Sequence, residues 1–178
     1  MHTPKISIIT VCYNSQKTLQ GTINSVKTQS YTNIEYIIID GNSTDNTKQI
    51  IEKNKSQIDI LVSESDKGIY DAMNKGIQHA SGDIIGILNS NDFFYDNNVI
   101  ENIVEQFKNN LADIVYGDLI YVQSNDIKKS TRHWRSSIFK GKNLKFGWTP
   151  PHPTLYCTRS IYEKCGLFNL NYKIAADY

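Results

Sequence analysis

Four consecutive polar residues, Asn89-Ser90-Asn91-Asp92, follow the apolar run Ile84–Leu88. Oxygen ligands placed directly after a buried strand suit a hard cation and the phosphates that such a cation neutralises. Mg²⁺ or Mn²⁺ needs few protein ligands when substrate phosphates supply the rest, so Asp92 alone would suffice as the carboxylate. An ordinary polar loop uses the same residue types, so it is the position after a strand that favours a binding site.

Two other polar positions are expected on the same rim of the sheet. Asp40 ends the apolar run Ile34–Ile39 and precedes Gly41, so it either begins a simple turn or accepts hydrogen bonds from a nucleobase or ribose. Asp66-Lys67-Gly68 is either a polar turn before a helix or a set of amides and a lysine that face a nucleotide phosphate. Asn74 lies on the polar side of the helix that follows.

The segment 128–145 holds seven Lys or Arg and no acidic residue, and several aromatic residues lie in it or just beyond it, among them Trp134 and Trp148. This composition suits anionic lipid surfaces or phosphorylated acceptors, and it also occurs in ordinary solvated loops. No recognition helix accompanies it, so nucleic acid is not an expected partner. His152, between two prolines, is either a ligand or acceptor contact or a structural residue.

Short β-branched runs alternate with amphipathic stretches over the first 120 residues. Strands are predicted at Ile6–Val11, Ile34–Ile39, Ile58–Ser63, Ile84–Leu88 and Ala112–Tyr116. Helices are predicted around Leu19–Val26, Ser43–Ile51, Ile69–Ala80 and Asp96–Phe107, with Ser43 and Asp96 as N-caps. This alternation favours an α/β fold with a mostly parallel sheet, helices on both faces, and ligands beyond the carboxyl ends of the strands.

After Gly117-Asp118 the pattern changes. The sequence predicts a hairpin of Leu119–Val122 and Ser130–Trp134, a long loop over 135–151, a strand Thr154–Thr158 and a short helix near Ser160–Cys165. Neither a linker nor an internal repeat is present, so one domain over residues 1–178 is expected.

Bulk composition excludes several classes of protein. With 39% apolar residues, 21% charged residues and a net charge of +1, the chain is globular and is not a general polyanion binder. Three cysteines without CxxC spacing indicate incidental thiols in a reducing compartment. The longest apolar runs are far shorter than the roughly 20 residues that span a bilayer, so we expect an intracellular protein that is soluble or peripheral to a membrane.

Taken together, these segments resemble the family 2 glycosyltransferases, which are inverting enzymes of the GT-A fold. ISIITVCYN is similar to the family's first strand, and IIIDGNSTDNT is similar to the motif that ends the second. SDKGIYDAMNKGIQHASGDIIGILNSND is similar to the stretch from the donor-binding turn to the acidic DxD-type motif, and KIAADY to the motif of the catalytic base. The resemblance covers nearly the whole chain. Residues 66–92 are most similar to the bacterial branch that builds O-antigen and capsular polysaccharides.

The resemblance implies transfer of a sugar, with inversion, from a nucleotide-sugar donor, most often a UDP-sugar. Asp177 would be the catalytic base, and Asp92 would hold Mn²⁺ or Mg²⁺ against the diphosphate. Asp40 would contact uracil, Asn91 the ribose, and Lys67 would add charge compensation. The implied donor-binding set is Thr10, Tyr13, Asp40, Asp66, Lys67, Asn74, Asn91 and Asp92. The implied acceptor is lipid-linked or a saccharide, met in the cytoplasm or peripherally at the inner face of the cell membrane.

The chain departs from the family pattern in two ways. Family members usually carry acid at position 91 and often at 89, whereas this chain has Asn at both. Family chains also continue well beyond the base, so we expect an acceptor-side part, 119–178, that is truncated at its C-terminus after a nucleotide-sugar-binding part, 1–118. Both departures favour an alternative, a nucleotide-sugar-binding module of a polysaccharide assembly without transfer activity. A sugar-nucleotide pyrophosphorylase is disfavoured because CYNSQKT lacks the glycine-rich loop of that class.

Overall fold

The computed structural model describes residues 3–138, 145 and 148–172. Its strands are β1 (Ile6–Cys12), β2 (Ile34–Asp40), β3 (Ile60–Ser63), β4 (Ile84–Ile87), β5 (Ile114–Val115), β6 (Leu119–Gln123), β7 (Asp126–Trp134) and β8 (Tyr156–Thr158). Its helices are α1 (Leu19–Lys27), α2 (Thr47–Lys53), α3 (Ile69–His79), α4 (Val99–Asn110) and α5 (Arg159–Cys165), with 3₁₀ turns at Lys55–Gln57 and His152–Thr154. Among the described residues, no helix is long and apolar enough to cross a membrane.

The main sheet has the order β3-β2-β1-β4-β8-β5 in the described part of the chain. Strands β1 to β4 are mutually parallel, β8 is antiparallel to β4, and β5 is antiparallel to β8 and therefore parallel to β4. The carboxyl ends of β1, β2, β4 and β5 thus meet at one rim. The predicted mostly parallel sheet with a small antiparallel part is confirmed.

The insertion of β8 beside β4 depends on a glycine. A Cβ built on Gly86 of β4 would overlap the Tyr156 ring of β8. Tyr156 is 3% exposed, so the missing side chain on β4 provides the space that this ring fills. The paired strands Ile84–Gly86 and Tyr156–Thr158 therefore fit each other by shape.

Two apolar clusters cover the two faces of the sheet. On one face, Ile8 and Ile38 pack with residues of α1 and α4; on the other, Ile9 and Ile39 pack against Met73 of α3. Successive residues of a strand point to opposite faces, so the continuous isoleucine runs of β1 and β2 supply both cores. The predicted placement of helices on both faces is confirmed.

Two predicted N-caps are wrong. The Ser43 backbone N–H and hydroxyl both donate to the Asp40 carboxylate, so Ser43 belongs to a turn and α2 begins four residues later, at Thr47. Asp96 Oδ1 accepts the Asn98 N–H at 2.8 Å, and α4 begins at Val99 with Asn98 as its N-cap. In both cases the polar side chain orders the turn before the helix and does not cap the helix itself.

The predicted strands at residues 112–116 and 154–158 are shorter than expected. Only Ile114 and Val115 pair in the first, and a 3₁₀ turn takes up residues 152–154 before the second begins at Tyr156. The predicted hairpin is confirmed, although its second strand begins at Asp126 and the pairing has register shifts on either side of Val122.

At the amino-terminal rim of the sheet, a buried carboxylate joins three segments. Glu35 is 5% exposed and accepts hydrogen bonds from Lys5 Nζ at 2.8 Å, from Ser7 Oγ at 2.6 Å and from the Ser81 N–H at 2.7 Å. Burial opposes ionisation, but these donors outweigh it and lower the pKa of Glu35 from 4.5 to about 2.

We expect Glu35→Gln to destabilise the protein at neutral pH. The folded pKa lies below the unfolded one, so ionised Glu35 stabilises the fold fully above about pH 4.5, and this contribution disappears as the pH falls towards 2. The shift corresponds to about 3 kcal/mol. Urea unfolding of both proteins at pH 7 and pH 3 measures it; an equal difference in unfolding free energy at the two pH values would contradict the assignment. Glu105→Gln, on the exposed face of α4, is the control.

Candidate functional site

A pocket of about 360 Å³ lies at the carboxyl ends of β1 and β4, beside the start of α3. Its lining residues are Val11, Cys12, Tyr13, Ser15, Asp66, Gly68, Ile69, Ala72, Asn89, Ser90 and Asn91. A second pocket, of about 280 Å³, opens at the amino end of β2 and contains none of the predicted site residues. The first pocket is the candidate site because parallel α/β sheets bind ligands at the carboxyl rim.

Hydrogen bonds join the three loops that form this rim. The Asn14 N–H donates to Ser43 Oγ at 2.8 Å, and Asn14 Oδ1 accepts the Thr44 N–H at 2.9 Å. Asn14 has a φ of 49°, a left-handed conformation that asparagine tolerates well. On the other side of the pocket, the Ser15 and Ser90 hydroxyls lie 2.8 Å apart. The loops after β1, β2 and β4 are therefore tied to one another.

Asp40 is fully buried at the end of β2 and does not line the pocket. Besides the donors of Ser43, its carboxylate accepts the Ser63 hydroxyl at 2.6 Å. Cys12 lies beside it, with Sγ 3.9 Å from Oδ1, and burial, together with the Asp40 charge, raises the pKa of this thiol well above its usual range. The Asp40 carboxylate thus accepts its hydrogen bonds from within the protein, and the raised pKa of Cys12 disfavours the reactive thiolate form.

Asp66 is the carboxylate that reaches the pocket from this side. A Cβ built on Gly41 would overlap Asp66 Oδ2 and would lie 3.4 Å from Cδ2 of Tyr13. The Asp66 carboxylate therefore lies against the Gly41 backbone, next to the Tyr13 ring, which is 63% exposed. Its other oxygen, Oδ1, accepts the Gly68 N–H at 2.9 Å. The Asp66 side chain and the exposed Tyr13 ring therefore line the same pocket.

The structure brings three of the predicted donor-binding residues into the pocket lining, namely Tyr13, Asp66 and Asn91. Thr10 is fully buried, with its hydroxyl 3.1 Å from that of Tyr36. Lys67 is exposed outside the lining, and its N–H donates to Asp71. Asp92 follows the lining residues directly, and Asp177 lies outside the described residues.

Asn74 connects α3 to the segment after α5. Its side chain is 7% exposed, its Nδ2 donates to the Phe168 carbonyl, and its Oδ1 accepts the Phe168 N–H, each at 2.9 Å. The Phe168 ring packs at 5.6 Å from the Tyr70 ring and at 5.9 Å from the His152 ring. The geometry gives Asn74 a structural role and places His152 in an aromatic contact.

The loop after β4 holds its carboxylate with few hydrogen bonds. Burial raises the pKa of Asp92, and a hydrogen bond from Asn89 Nδ2 at 3.4 Å only partly opposes this. Asn89 Oδ1 is buried and has no hydrogen-bond partner in the described part of the chain. The loop backbone is nonetheless fixed, because the Asp92 carbonyl accepts the Thr22 hydroxyl at 2.7 Å and its N–H donates to the Asn89 carbonyl at 2.9 Å.

These residues fit a divalent cation that draws most of its ligands from substrate and water. Within the described residues there is no group of three or more His, Cys, Asp or Glu side chains able to hold a metal ion. The half-buried Asp92 carboxylate and the Asn89 amide oxygen, which has no partner among the described residues, are nevertheless oxygen donors of the kind that Mg²⁺ and Mn²⁺ accept. Mg²⁺ sites with one protein carboxylate and substrate phosphates are common.

The architecture is that of the GT-A glycosyltransferases. Staphylococcus aureus TarS (residues 1–349), solved in complex with UDP, superposes with a TM-score of 0.80 over 97% of this chain and 52% of that one, at 21% identity. The model of Glycosyl transferase family 2 matches residues 7–166. The chain belongs to this family.

Two curated relatives extend the comparison. An uncharacterized glycosyltransferase of Mycobacterium tuberculosis, Rv1514c, is 33% identical over 98% of this chain and 66% of its own length. The UDP-Glc:alpha-D-GlcNAc-diphosphoundecaprenol beta-1,3-glucosyltransferase WfgD of Escherichia coli is 35% identical over 68% of this chain and 48% of its own length. The chain therefore spans at most about two thirds of the length of these two relatives.

Proposed function

We propose that the chain binds a UDP-sugar and transfers its sugar, with inversion, to an acceptor hydroxyl in the biosynthesis of a cell-surface polysaccharide. The observation that carries this proposal is the pocket at the carboxyl rim, where Tyr13, Asp66 and Asn91 converge. The pocket combines an aromatic surface, a carboxylate and an amide, which are the groups that recognise a base and a ribose.

Uracil would contact Asp66 and not Asp40. The imide N–H of uracil is a donor and needs an acceptor; Asp66 lines the pocket, whereas the acceptors of Asp40 are taken by Ser43 and Ser63. The ring of Tyr13 would stack on the base, and Asn91 would bond the ribose. Asp40 would act indirectly, by ordering the turn on which Asp66 rests.

The diphosphate would lie towards the loop after β4. Asp92 and Asn89 would hold Mn²⁺ or Mg²⁺, and the cation would neutralise the charge that develops on the departing UDP. The N–H groups at the start of α3 would add favourable dipoles on the other side, with Lys67 beside them.

Asp177 would serve as the general base, as the family resemblance implies. The acceptor oxygen would bond to the anomeric carbon as the bond from that carbon to the diphosphate oxygen breaks, and the hydroxyl proton would pass to Asp177. A positioned base typically contributes roughly 10²- to 10⁴-fold in rate. Attack opposite the leaving group inverts the configuration.

The acceptor would be lipid-linked or a saccharide. WfgD is named as a transferase that acts on a sugar carried by diphosphoundecaprenol, and this supports a lipid-linked acceptor here. Such an acceptor would be met at the cytoplasmic face of the cell membrane.

A screen of UDP-, GDP- and dTDP-sugars with Mn²⁺ tests the proposal. We expect UDP-sugars to raise the melting temperature most, and the best of them to be hydrolysed slowly when no acceptor is present. Absence of stabilisation by every nucleotide sugar would refute the proposal. Stabilisation without any hydrolysis would favour the second candidate, a binding module without transfer activity, which the asparagines at positions 89 and 91 support.

A further inference from the structure

The hairpin β6–β7 contributes no residue to the lining of the pocket. It is fastened at its base, where the Asp118 carboxylate accepts the N–H and hydroxyl of Ser136 and the Tyr116 hydroxyl donates to the Ser137 carbonyl at 2.7 Å. The hairpin begins just after the carboxyl end of β5, which is parallel to β4. It therefore leaves the sheet at the rim that carries the pocket.

The hairpin is strongly basic and exposed. Every residue from 127 to 133 is exposed, and so is Arg135. Lys128, Lys129, Arg132 and Arg135 lie within eight residues, and within the described ranges none of them forms an ion pair. The acidic residue at the turn, Asp126, accepts the Lys128 backbone N–H. The ribbon thus presents a local positive potential on a chain whose net charge is only +1.

One face of the ribbon combines aromatic rings with this charge. Cross-strand pairing sets Leu119 opposite Trp134 and Tyr121 opposite Arg132. The Arg132 guanidinium lies 5.6 Å from the centre of the Tyr121 ring and 5.3 Å from that of Trp134. Near the turn, the Ile127 side chain is 61% exposed. Aromatic rings with an apolar body and a polar edge, set among cations, are typical of surfaces that lie at a membrane interface.

We infer that the hairpin β6–β7 docks the protein on a bilayer that contains anionic phospholipids. Charge complementarity selects this occupant, because each basic residue near an anionic membrane surface adds attraction while the tyrosine, tryptophan and isoleucine enter the interface. A two-stranded ribbon is marginal alone, so a surface that covers it also stabilises it. Membrane docking itself does not depend on the proposed function. Only its consequence does, because docking would bring the pocket rim towards a lipid-linked acceptor.

Tryptophan fluorescence tests the inference directly, because the chain has two tryptophans and Trp134 is in the hairpin. In a Trp148→Phe background, the emission of Trp134 is recorded with phosphatidylcholine vesicles and with vesicles that contain 30% phosphatidylglycerol, alongside co-sedimentation. We expect a blue shift and at least tenfold stronger partitioning with the anionic vesicles, both reduced at high salt.

The charge reversal Lys128→Glu/Lys129→Glu should weaken that partitioning by tenfold or more. The matched control, Lys53→Glu/Lys108→Glu, makes the same change in net charge at exposed positions of α2 and α4 and should bind like the parent. The inference would be overturned if both double variants bound anionic vesicles equally well, or if the protein bound them without a shift in Trp134 emission. Equal affinity for neutral and anionic vesicles would also overturn it. A blue-shifted Trp134 in a dimer without vesicles would instead identify a second copy as the partner and overturn it too. UDP-induced stabilisation, measured in parallel, reports separately on the proposed function.

Discussion

The Asp92→Asn variant is expected to melt at a higher temperature than the parent chain without ligand, and to lose the added stabilisation that Mn²⁺ gives in the presence of UDP. Burial raises the pKa of Asp92, which means that the ionised carboxylate destabilises the folded state. Because the folded pKa exceeds the unfolded one, this penalty is complete above the folded pKa and disappears as the pH falls through it. Asparagine has the same shape without the charge.

The ligand-dependent part of this prediction is the larger one. A ligand present at 100 times its Kd stabilises a protein by about 2.7 kcal/mol, which corresponds to a rise of about 5 to 10 °C for a domain of this size. We expect the parent chain to show such a rise with UDP and Mn²⁺ together, and the variant to show only what UDP gives in the presence of EDTA.

Thermal melts at pH 7.5 with UDP, with and without Mn²⁺, measure both effects. Glu105→Gln removes an exposed carboxylate of α4 and should leave the ligand-induced rise unchanged. If Asp92→Asn keeps the full effect of Mn²⁺, Asp92 is not the metal ligand. If the variant is less stable than the parent without ligand, the ionised Asp92 carboxylate does not destabilise the folded state.

The sheet is predictable from the sequence because its strands carry their own signals. The isoleucine runs of β1 and β2 are buried on both faces, and none of the described helices has that composition. The insertion of β8 beside β4 has no such signal. It depends on the fit of Tyr156 into the space left at Gly86, two residues far apart in sequence whose contact exists only in the folded chain.

The site is predictable to the extent that strand ends define it. Tyr13, Asp66 and Asn91 follow from their positions after strands or before a helix. The orientation of Asp40 does not follow, because it depends on Ser43 and Ser63 as donors. The partner of Asn74 lies 94 residues away, so the polar position on α3 gave no indication of its bond to Phe168. The contact of Asp66 with the end of β2 depends on Gly41, whose missing side chain leaves room for the carboxylate.

Asp66→Asn is expected to remove most of the preference of the chain for UDP over CDP. The imide N–H of uracil would donate to Asp66 Oδ2, whereas cytosine has an acceptor at that ring position and would meet the carboxylate unfavourably. Hydrogen bonds to charged groups contribute about 1.5 to 3 kcal/mol, so the ratio of the two dissociation constants should fall by roughly tenfold or more. An amide can turn its NH₂ group towards cytosine, so CDP binding should also improve.

Asp40→Asn provides the matched comparison, since it makes the same chemical change beside Gly41. One end of the new amide can no longer accept from Ser43 or Ser63, so this variant should lose stability, yet its UDP-to-CDP ratio should stay at the parent value. Calorimetric titrations of UDP and CDP into the parent and both variants measure the ratios. A changed ratio in Asp40→Asn together with an unchanged ratio in Asp66→Asn would return the base contact to Asp40.

Gly41→Ala tests whether the position of the Asp66 carboxylate matters, because the variant keeps this carboxylate but displaces it. The added Cβ would overlap Asp66 Oδ2 and so displace the carboxylate, while every polar group of the pocket is retained. We expect this single methyl group to lower UDP affinity and the UDP-to-CDP ratio about as much as Asp66→Asn does. Gly21→Ala, at an exposed position of α1 where a Cβ meets nothing within 4 Å, should leave both unchanged. A Gly41→Ala protein that binds UDP as the parent does would show that base recognition does not depend on the contact between Asp66 and the end of β2.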